Sequence, residues 1–433
     1  MFHLKENNTT INTEITAGMT TFLTMAYIVI VNPVILGAAG VPFNQVFLAT
    51  IIAAVIGTLW MALAANYPIA IAPGMGLNAY FTSMVLGSDG AIDYVTAFAA
   101  VFVAGLIFVL LSLTSLRKVL IHAIPENLKH AITAGIGLFI AFIGMRLSGL
   151  IVANDANLVG LGDLTSPSVA LTLLGLLITV IFMSLNIHGG IFYGMIITGI
   201  VAFFTDQLKF NAGLMKLPSL PEGILIWNPL EALQLVIEFG LYGVVFSFLL
   251  VTLFDTTGTM IGVAKQAGLM RDNKMPRMRQ ALLADSIAAT AGAMVGTSPT
   301  SAYVESSAGV AAGGRTGLTS LTVAILFIVA AFFGPLVGSL SSVAAITAPA
   351  LIIVGSLMIG SVKQIEWEKF DEAFPAFLIV LAMPLTSSIA TGIAFGFISY
   401  PLMKVFKGKW KAVHPILYIF AILFTIQLLI APH

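Results

Sequence analysis

The chain contains no cysteine, which excludes disulfides, thiolate metal ligands and cysteine nucleophiles. Charge is scarce as well. Only 9% of its 433 residues are charged, where a soluble domain carries about a quarter. The N-terminus, MFHLKENNTTINTEIT, is polar and lacks a basic cap ahead of a short apolar run, so no cleavable signal peptide is expected. Basic and acidic residues number 19 each, and a formal net charge of +0 says nothing about partners. The placement of the charges says more.

Apolar surface fills the space that charge leaves. Hydrophobic residues make up 59% of the chain and the mean hydropathy is +1.04, a composition built for lipid as solvent. Apolar runs predict spans at roughly 16–37, 46–66, 69–86, 94–115, 130–149, 168–186 and 189–205. A second series follows at 232–262, 278–296, 300–313, 317–334, 343–361, 373–387 and 388–404. A last stretch, 413–431, reads as a further span or as an apolar helix lying against the bundle.

Lys and Arg orient these spans. With the N-terminus in the cytoplasm, the inner side collects Lys5, Arg117, Lys118, Lys129, the basic residues of 265–279, Arg315, Lys363, Lys369 and the lysines of 404–411. Only Arg146, Lys209 and Lys216 fall outside, whereas the outer loops hold Asp89, Asp93, Asp155, Asp163, Asp206, Glu222 and Glu231. That asymmetry is what the positive-inside rule expects.

A weak internal repeat appears at an offset of about 223–226 residues, aligning Asn32 with Asp255 and Pro73 with Pro299. Seven spans per half is an odd number, so the second half runs inverted, the sequence signature of secondary transporters. Pro73-Gly74-Met75-Gly76 and Thr297-Ser298-Pro299-Thr300-Ser301 break the third and tenth spans. Proline removes a backbone donor, and such backbone survives in a bilayer only when buried in protein or lining a wet cavity. Leu77–Phe81 and Ala302–Ser306 follow the breaks. Two half-helix starts there would offer free N–H groups and positive dipole ends near the midplane. Kinks in packed helices are the plainer reading of the same residues.

Three acids lie within or beside apolar segments: Asp255 in LVTLFDTTGTMIGV, Asp285 in ALLADSIAATAGAMVG and Glu305 in SPTSAYVESSAGV. An ionisable group costs ~2.5–3.5 kcal/mol at the centre of a membrane helix, so each needs a partner, a cavity or a ligand. Asp255 alternatively caps a helix end, with Thr256, Thr257 and Gly258 after it. Asp285 alternatively pairs with Arg279 or caps a neighbouring helix. Glu305 has no basic residue nearby in sequence until Arg315. Arg146 reads as a snorkelling anchor, His188 as loop, and Gly135, Gly199, Gly292 and Gly296 as helix packing.

Long segments, among them GMTTFLTMAYIVIVNPVILGAAG, ANYPIAIAPGMGLNAYF, LFDTTGTMIGVAKQAGL and ALLADSIAATAGAMVGTSPTSAYVESSAGVAAGGRTGLT, resemble the AzgA-like purine permeases of the nucleobase–cation symporter family two. The resemblance covers roughly 12–405. It implies an all-α polytopic protein of fourteen spans, a seven-plus-seven inverted repeat whose broken third and tenth spans carry short strands. A core domain from approximately 12–120 and 232–334, and a gate domain from approximately 128–206 and 340–405, would move as in an elevator, with 413–431 appended. The family's acids fall on Asp255, Asp285 and Glu305, its first-span asparagine on Asn32 and its third-span strand on Asn78–Phe81. The activity implied is proton-coupled import of adenine, guanine or hypoxanthine at the plasma membrane. The chain departs from the family where Pro299 replaces a residue that is commonly not proline, which touches the approach to Glu305.

A neutral purine offers N–H donors to carboxylates and acceptors to free backbone amides. Asp255, Glu305, Asn78, Ala79, Tyr80, Phe81, Tyr303 and Ser306 are therefore the expected substrate contacts, the aromatic rings by stacking. Asp255, Asp285, Glu305, Asn32 and Thr259 are expected to carry or support the coupled proton. No cofactor is expected. The expected partners are a purine nucleobase, the lipid bilayer and a second copy in a homodimer, with no nucleic acid. An anion transporter of the same architecture is the alternative, disfavoured by the charge of Glu305. An intramembrane aspartyl protease is a further one, but Asn32 stands where its second aspartate belongs.

Overall fold

A bilayer leaves the backbone no polar partner but itself, so each long apolar run closes into a helix. The structure, a computed structural model, describes residues 2–88, 90–114, 123–154, 157–210, 213–271 and 275–430. Arg117, Lys118, Lys274, Asp89 and Asp155, which the charge reading used, lie outside the described residues.

In the first half, α1 (Ile11–Met25) and α2 (Ile28–Gly37) form one span, followed by α3 (Phe43–Trp60). The third span is a short strand, β1 (Ile71–Pro73), and then α4 (Met75–Leu86); α5 (Tyr94–Leu113) completes this group. Next come α6 (Glu126–Leu147), a small hairpin of β2 (Ile151–Asn154) and β3 (Leu158–Leu161), α7 (Pro167–Ser184) and α8 (Gly190–Phe204). The second half repeats this order after a short helix, α9 (Pro229–Glu238). It runs through α10 (Tyr242–Gln266), α11 (Met278–Val295), β4 (Thr300–Ala302) with α12 (Ser306–Ala311), and α13 (Gly317–Ala330) with α14 (Gly334–Ser341). Then follow α15 (Ala344–Met358), α16 (Phe370–Leu385), α17 (Ile389–Phe406) and a last helix, α18 (Pro415–Ile430). Among the described residues, nine helical segments are long and apolar enough to cross a membrane unaided.

The span expected over 232–262 is two helices. Gly240 adopts a left-handed φ of +63°, and Leu241 N reaches back to Val236 O at 2.9 Å, closing α9 before α10 begins. Gly296 is likewise a helix terminator, with φ +102°, and it also packs closely, since a Cβ on it would lie 3.0 Å from Leu225 and 3.1 Å from Gln45. Gly135, Gly199 and Gly292 do pack as expected: a Cβ on them would lie 2.6–2.9 Å from Met383, Leu340 and Thr297. His188 lies in the turn before α8. Arg146 is in the last turn of α6 with its guanidinium 5.8 Å from the centre of the Phe142 ring.

Packing divides the helices by kind. Helix α5, whose Phe98, Ala99, Ala100 and Val101 are fully buried, lies against α11, while α11 also packs on α3 and α1 on α13. In the other group, α6 packs along α15 and α16, α7 along α8 and α15, and α16 along α17. The last helix rests on α17 and α10 through an aromatic cluster, with Phe420 4.4 Å from Phe246 and Phe424 5.7 Å from Phe397 between ring centres.

Candidate substrate site

The two broken spans meet as a pair of strands. Ile71, Ala72 and Pro73 pair antiparallel with Ala302, Ser301 and Thr300, as equivalent segments of inverted repeats do when they run across the two-fold axis that relates them. Gly74 N extends the ladder to Pro299 O at 3.0 Å, and Tyr303 N reaches Ala70 O at 3.0 Å. The strands therefore precede the helix starts. Asn78–Phe81, expected as a strand, belong to α4, because pairing is satisfied by 71–73 and Gly74 then releases the chain into a helix.

Both breaks leave backbone amides free. At the start of α4 the amides of Met75, Gly76 and Leu77 find no backbone partner. In the tenth span the amides of Val304 and Glu305 likewise find none, while those of Ser306, Ser307 and Ala308 close tight turns onto Tyr303, Val304 and Glu305 at 2.9–3.1 Å. Both helix starts therefore leave amides without backbone partners, as expected.

Asp255 sits inside α10, not at its end, so it is not a helix cap. Its carboxylate meets the Ser301 side chain on β4, and it lines a cavity of about 160 Å³ with Gly74, Gly76 and Leu77. Phe254 and Gly258 of α10 and Glu126, Lys129, His130 and Thr133 of α6 form the other walls. A carboxylate thus shares a cavity with Gly76 and Leu77, whose amides lack backbone partners, so one wall can accept hydrogen bonds and the other can donate them.

Glu305 lies close enough to Asp255 for their charges to interact, but it does not line this cavity. Its Oε1 accepts from Tyr27 Oη at 2.6 Å, on the hinge between α1 and α2. Asp285 is fully buried and neither pairs with Arg279 nor caps a helix; its two oxygens accept from Thr256 and, at 2.6 Å, from Thr300. Asn32 donates to Thr50 at 2.7 Å and to Thr297 at 2.8 Å, and Ser298 donates to Asn78 Oδ1. These contacts hold the loop before β4 from both sides.

The remaining expected contacts turn away from the cavity. Phe81 stacks on Phe98 at 4.4 Å and Tyr80 packs tilted against Phe248 at 4.8 Å, both within the packed core, and Ala79 is buried beside them. Tyr303 donates to Pro73 O at 2.6 Å, and Ser306 Oγ accepts from Ala70 N at 3.0 Å, so both clamp the strand pair. Thr259 lies one helical turn beyond Asp255 without lining the cavity.

Two features escaped the sequence reading. Glu14 is fully buried and caps the start of α13, accepting from Arg315 N at 2.9 Å and from Thr316 N and Thr319 N at 3.2 Å each. Glu126, Lys129, His130 and Thr133 recur at helical spacing on one face of α6, a polar stripe that the sequence displays openly. Lys129 also fits the loop charge that the span pattern assigns it, which hides the stripe.

A polytopic helical bundle with paired broken spans and an internal carboxylate-lined cavity is the architecture of a membrane transporter. The chain belongs to the Permease family, whose model (Xan_ur_permease) matches residues 12–395. It is 67% identical to the guanine/hypoxanthine permease PbuO of Bacillus subtilis, over 99% of this chain and 100% of that one. It is 47% identical to the guanine/hypoxanthine permease PbuG of the same organism, over 96% of each chain. It is 43% identical to the adenine permease AdeQ of Escherichia coli, over 99% of this chain and 96% of that one. Among solved structures, the transmembrane domain of the cyanobacterial bicarbonate transporter BicA superposes with a TM-score of 0.66 at 14% identity, covering 88% of this chain and 96% of that one. SLC26A9 superposes with a TM-score of 0.66 at 14% identity, covering 92% and 66%. These likenesses establish the seven-plus-seven inverted-repeat fold, and the protein is a multi-pass membrane permease.

Proposed function

We propose that the protein imports purine nucleobases by proton symport, with the 6-oxopurines hypoxanthine and guanine taken in preference to adenine. The observation that carries this is the cavity that Asp255 shares with Gly76 and Leu77, whose amides find no backbone partner. Ring N–H groups of a purine donate to the carboxylate, and its ring nitrogens or carbonyl accept from the amides. The names of the relatives PbuO and PbuG support the choice of guanine and hypoxanthine. Asp255, with Glu305 behind the strand pair, also supplies the groups that take up and release the coupled proton.

The two packing groups are the moving and fixed bodies in this reading. Residues 12–120 and 232–334 form a core that carries the site past a gate of 128–206 and 340–405, at the plasma membrane and with the N-terminus in the cytoplasm. The anion-transporter alternative draws on the fold shared with BicA, and a helix N-terminus suits an anion. The carboxylate of Asp255 in the same cavity repels one. Uptake of radiolabelled hypoxanthine, guanine, adenine, uracil and bicarbonate into cells lacking their own nucleobase permeases tests the reading. Saturable hypoxanthine and guanine uptake is expected; bicarbonate uptake without purine uptake would reverse it.

A further inference from the structure

Lys129 begins as one more basic residue in the first turn of a span, yet its side chain is only 15% exposed. Its Nζ lies 2.8 Å from Glu126 Oε1 and 5.6 Å from the centre of the Phe254 ring. Phe254 immediately precedes Asp255 on α10, and Lys129, Phe254 and Asp255 all line the same cavity. The contact therefore runs from α6, in the proposed gate, to α10, in the proposed core, beside the carboxylate that defines the site.

A cation is attracted to the face of an aromatic ring, more strongly when both are withdrawn from water. Glu126, 75% exposed, holds the wet side of the ammonium while the ring covers its dry side. If the core moves against the gate, α10 carries Phe254 away from Lys129, and this attraction is lost. The geometry points to Lys129 as a positioning residue of transport: it seats Phe254 at the wall of the Asp255 cavity and favours the state in which that cavity abuts the Glu126 end of α6. This rests on the transporter reading above but names a residue outside the substrate-contacting carboxylates.

The test uses the full chain reconstituted in vesicles, in a Gly258→Cys background. Gly258 lines the cavity, and a Cβ there meets no heavy atom within 4 Å. A membrane-impermeant thiol reagent is applied from each face in turn. Lys129→Met should lower labelling from the Glu126 side relative to the other side by about 5- to 30-fold, the worth of a cation–π contact. Lys129→Arg keeps the cation and should label as the parent does. Glu126 is exposed, so its lone carboxylate in the Met variant stays solvated; Phe254→Leu removes the ring instead and should give the same shift. Parent-like labelling ratios in both variants, or a parent labelled equally from both faces, would overturn the inference. Hypoxanthine binding to the purified parent is measured separately. Its absence would reject the purine reading and leave the labelling result standing.

Discussion

Thr300, on the second strand of the crossing, donates its hydroxyl to Asp285 Oδ1 at 2.6 Å, while Thr256 of α10 donates to the other carboxylate oxygen. One fully buried carboxylate thereby pins α10, α11 and β4 together. It serves the geometry of the site without facing the cavity.

Asp285→Asn should therefore act on stability. An amide offers one acceptor where the carboxylate offers two, so the charge-assisted bonds are lost. One hydroxyl must turn elsewhere, as Thr300 can to Asp285 O at 3.0 Å, at a cost of about 1–3 kcal/mol. Thermal unfolding in detergent should show that loss, whereas Asp255→Asn should unfold like the parent and lose hypoxanthine affinity. The reverse pattern would exchange the roles of the two residues.

Glu305→Gln removes the charge that Tyr27 engages. If Glu305 holds substrate, loss of a charged partner to a ligand hydrogen bond costs ~1.5–3 kcal/mol, or about 10- to 150-fold in affinity. Calorimetric titration of the purified variant with hypoxanthine measures this. Binding equal to the parent's would restrict Glu305 to ordering the hinge at Tyr27.

Coupling is open to a direct test. Uptake at acidic external pH should collapse with a protonophore and be indifferent to replacing sodium by choline. Uptake that survives the protonophore and fails without sodium would assign a sodium symporter.

Gly76 marks a close approach between α4 and α6, where a Cβ would lie 2.3 Å from Ile136 Cγ2. Gly76→Ala should abolish or strongly slow transport by wedging the two apart, and Ile136→Ala in the same chain should restore much of it. Initial uptake rates of the single and double variants, corrected for membrane abundance, decide the point. Undiminished transport in Gly76→Ala would show that this contact opens during the cycle without constraint.

The span pattern was legible because twenty-residue apolar runs carry their own length signal, and the breaks at Pro73 and Pro299 announced themselves by residue type. The strand positions were not legible. Pairing of Ile71 with Ala302 is a contact between halves of the chain, and nothing local distinguishes 71–73 from 78–81 as the paired segment. Asp255, Asp285 and Glu305 looked alike as acids in apolar surroundings. Their different environments depend on Ser301, Thr300 and Tyr27, which come from other elements. Ala79 and Ser306 read as substrate contacts beside the breaks, yet both are buried, because Ser306 is spent on Ala70 N and α4 turns Ala79 inward.

The antiparallel pairing of β1 with β4 also has a consequence for biogenesis. Ile71 leaves the ribosome 231 residues before its partner Ala302 does. At about 5–20 residues per second, the first strand waits roughly 12–46 seconds in the membrane with its outward amides and carbonyls unmatched. Until the second half arrives, the first is an incomplete membrane protein, exposed to whatever inserted segment or chaperone can cover that edge. Separately expressed halves should therefore be degraded when made alone and persist when made together.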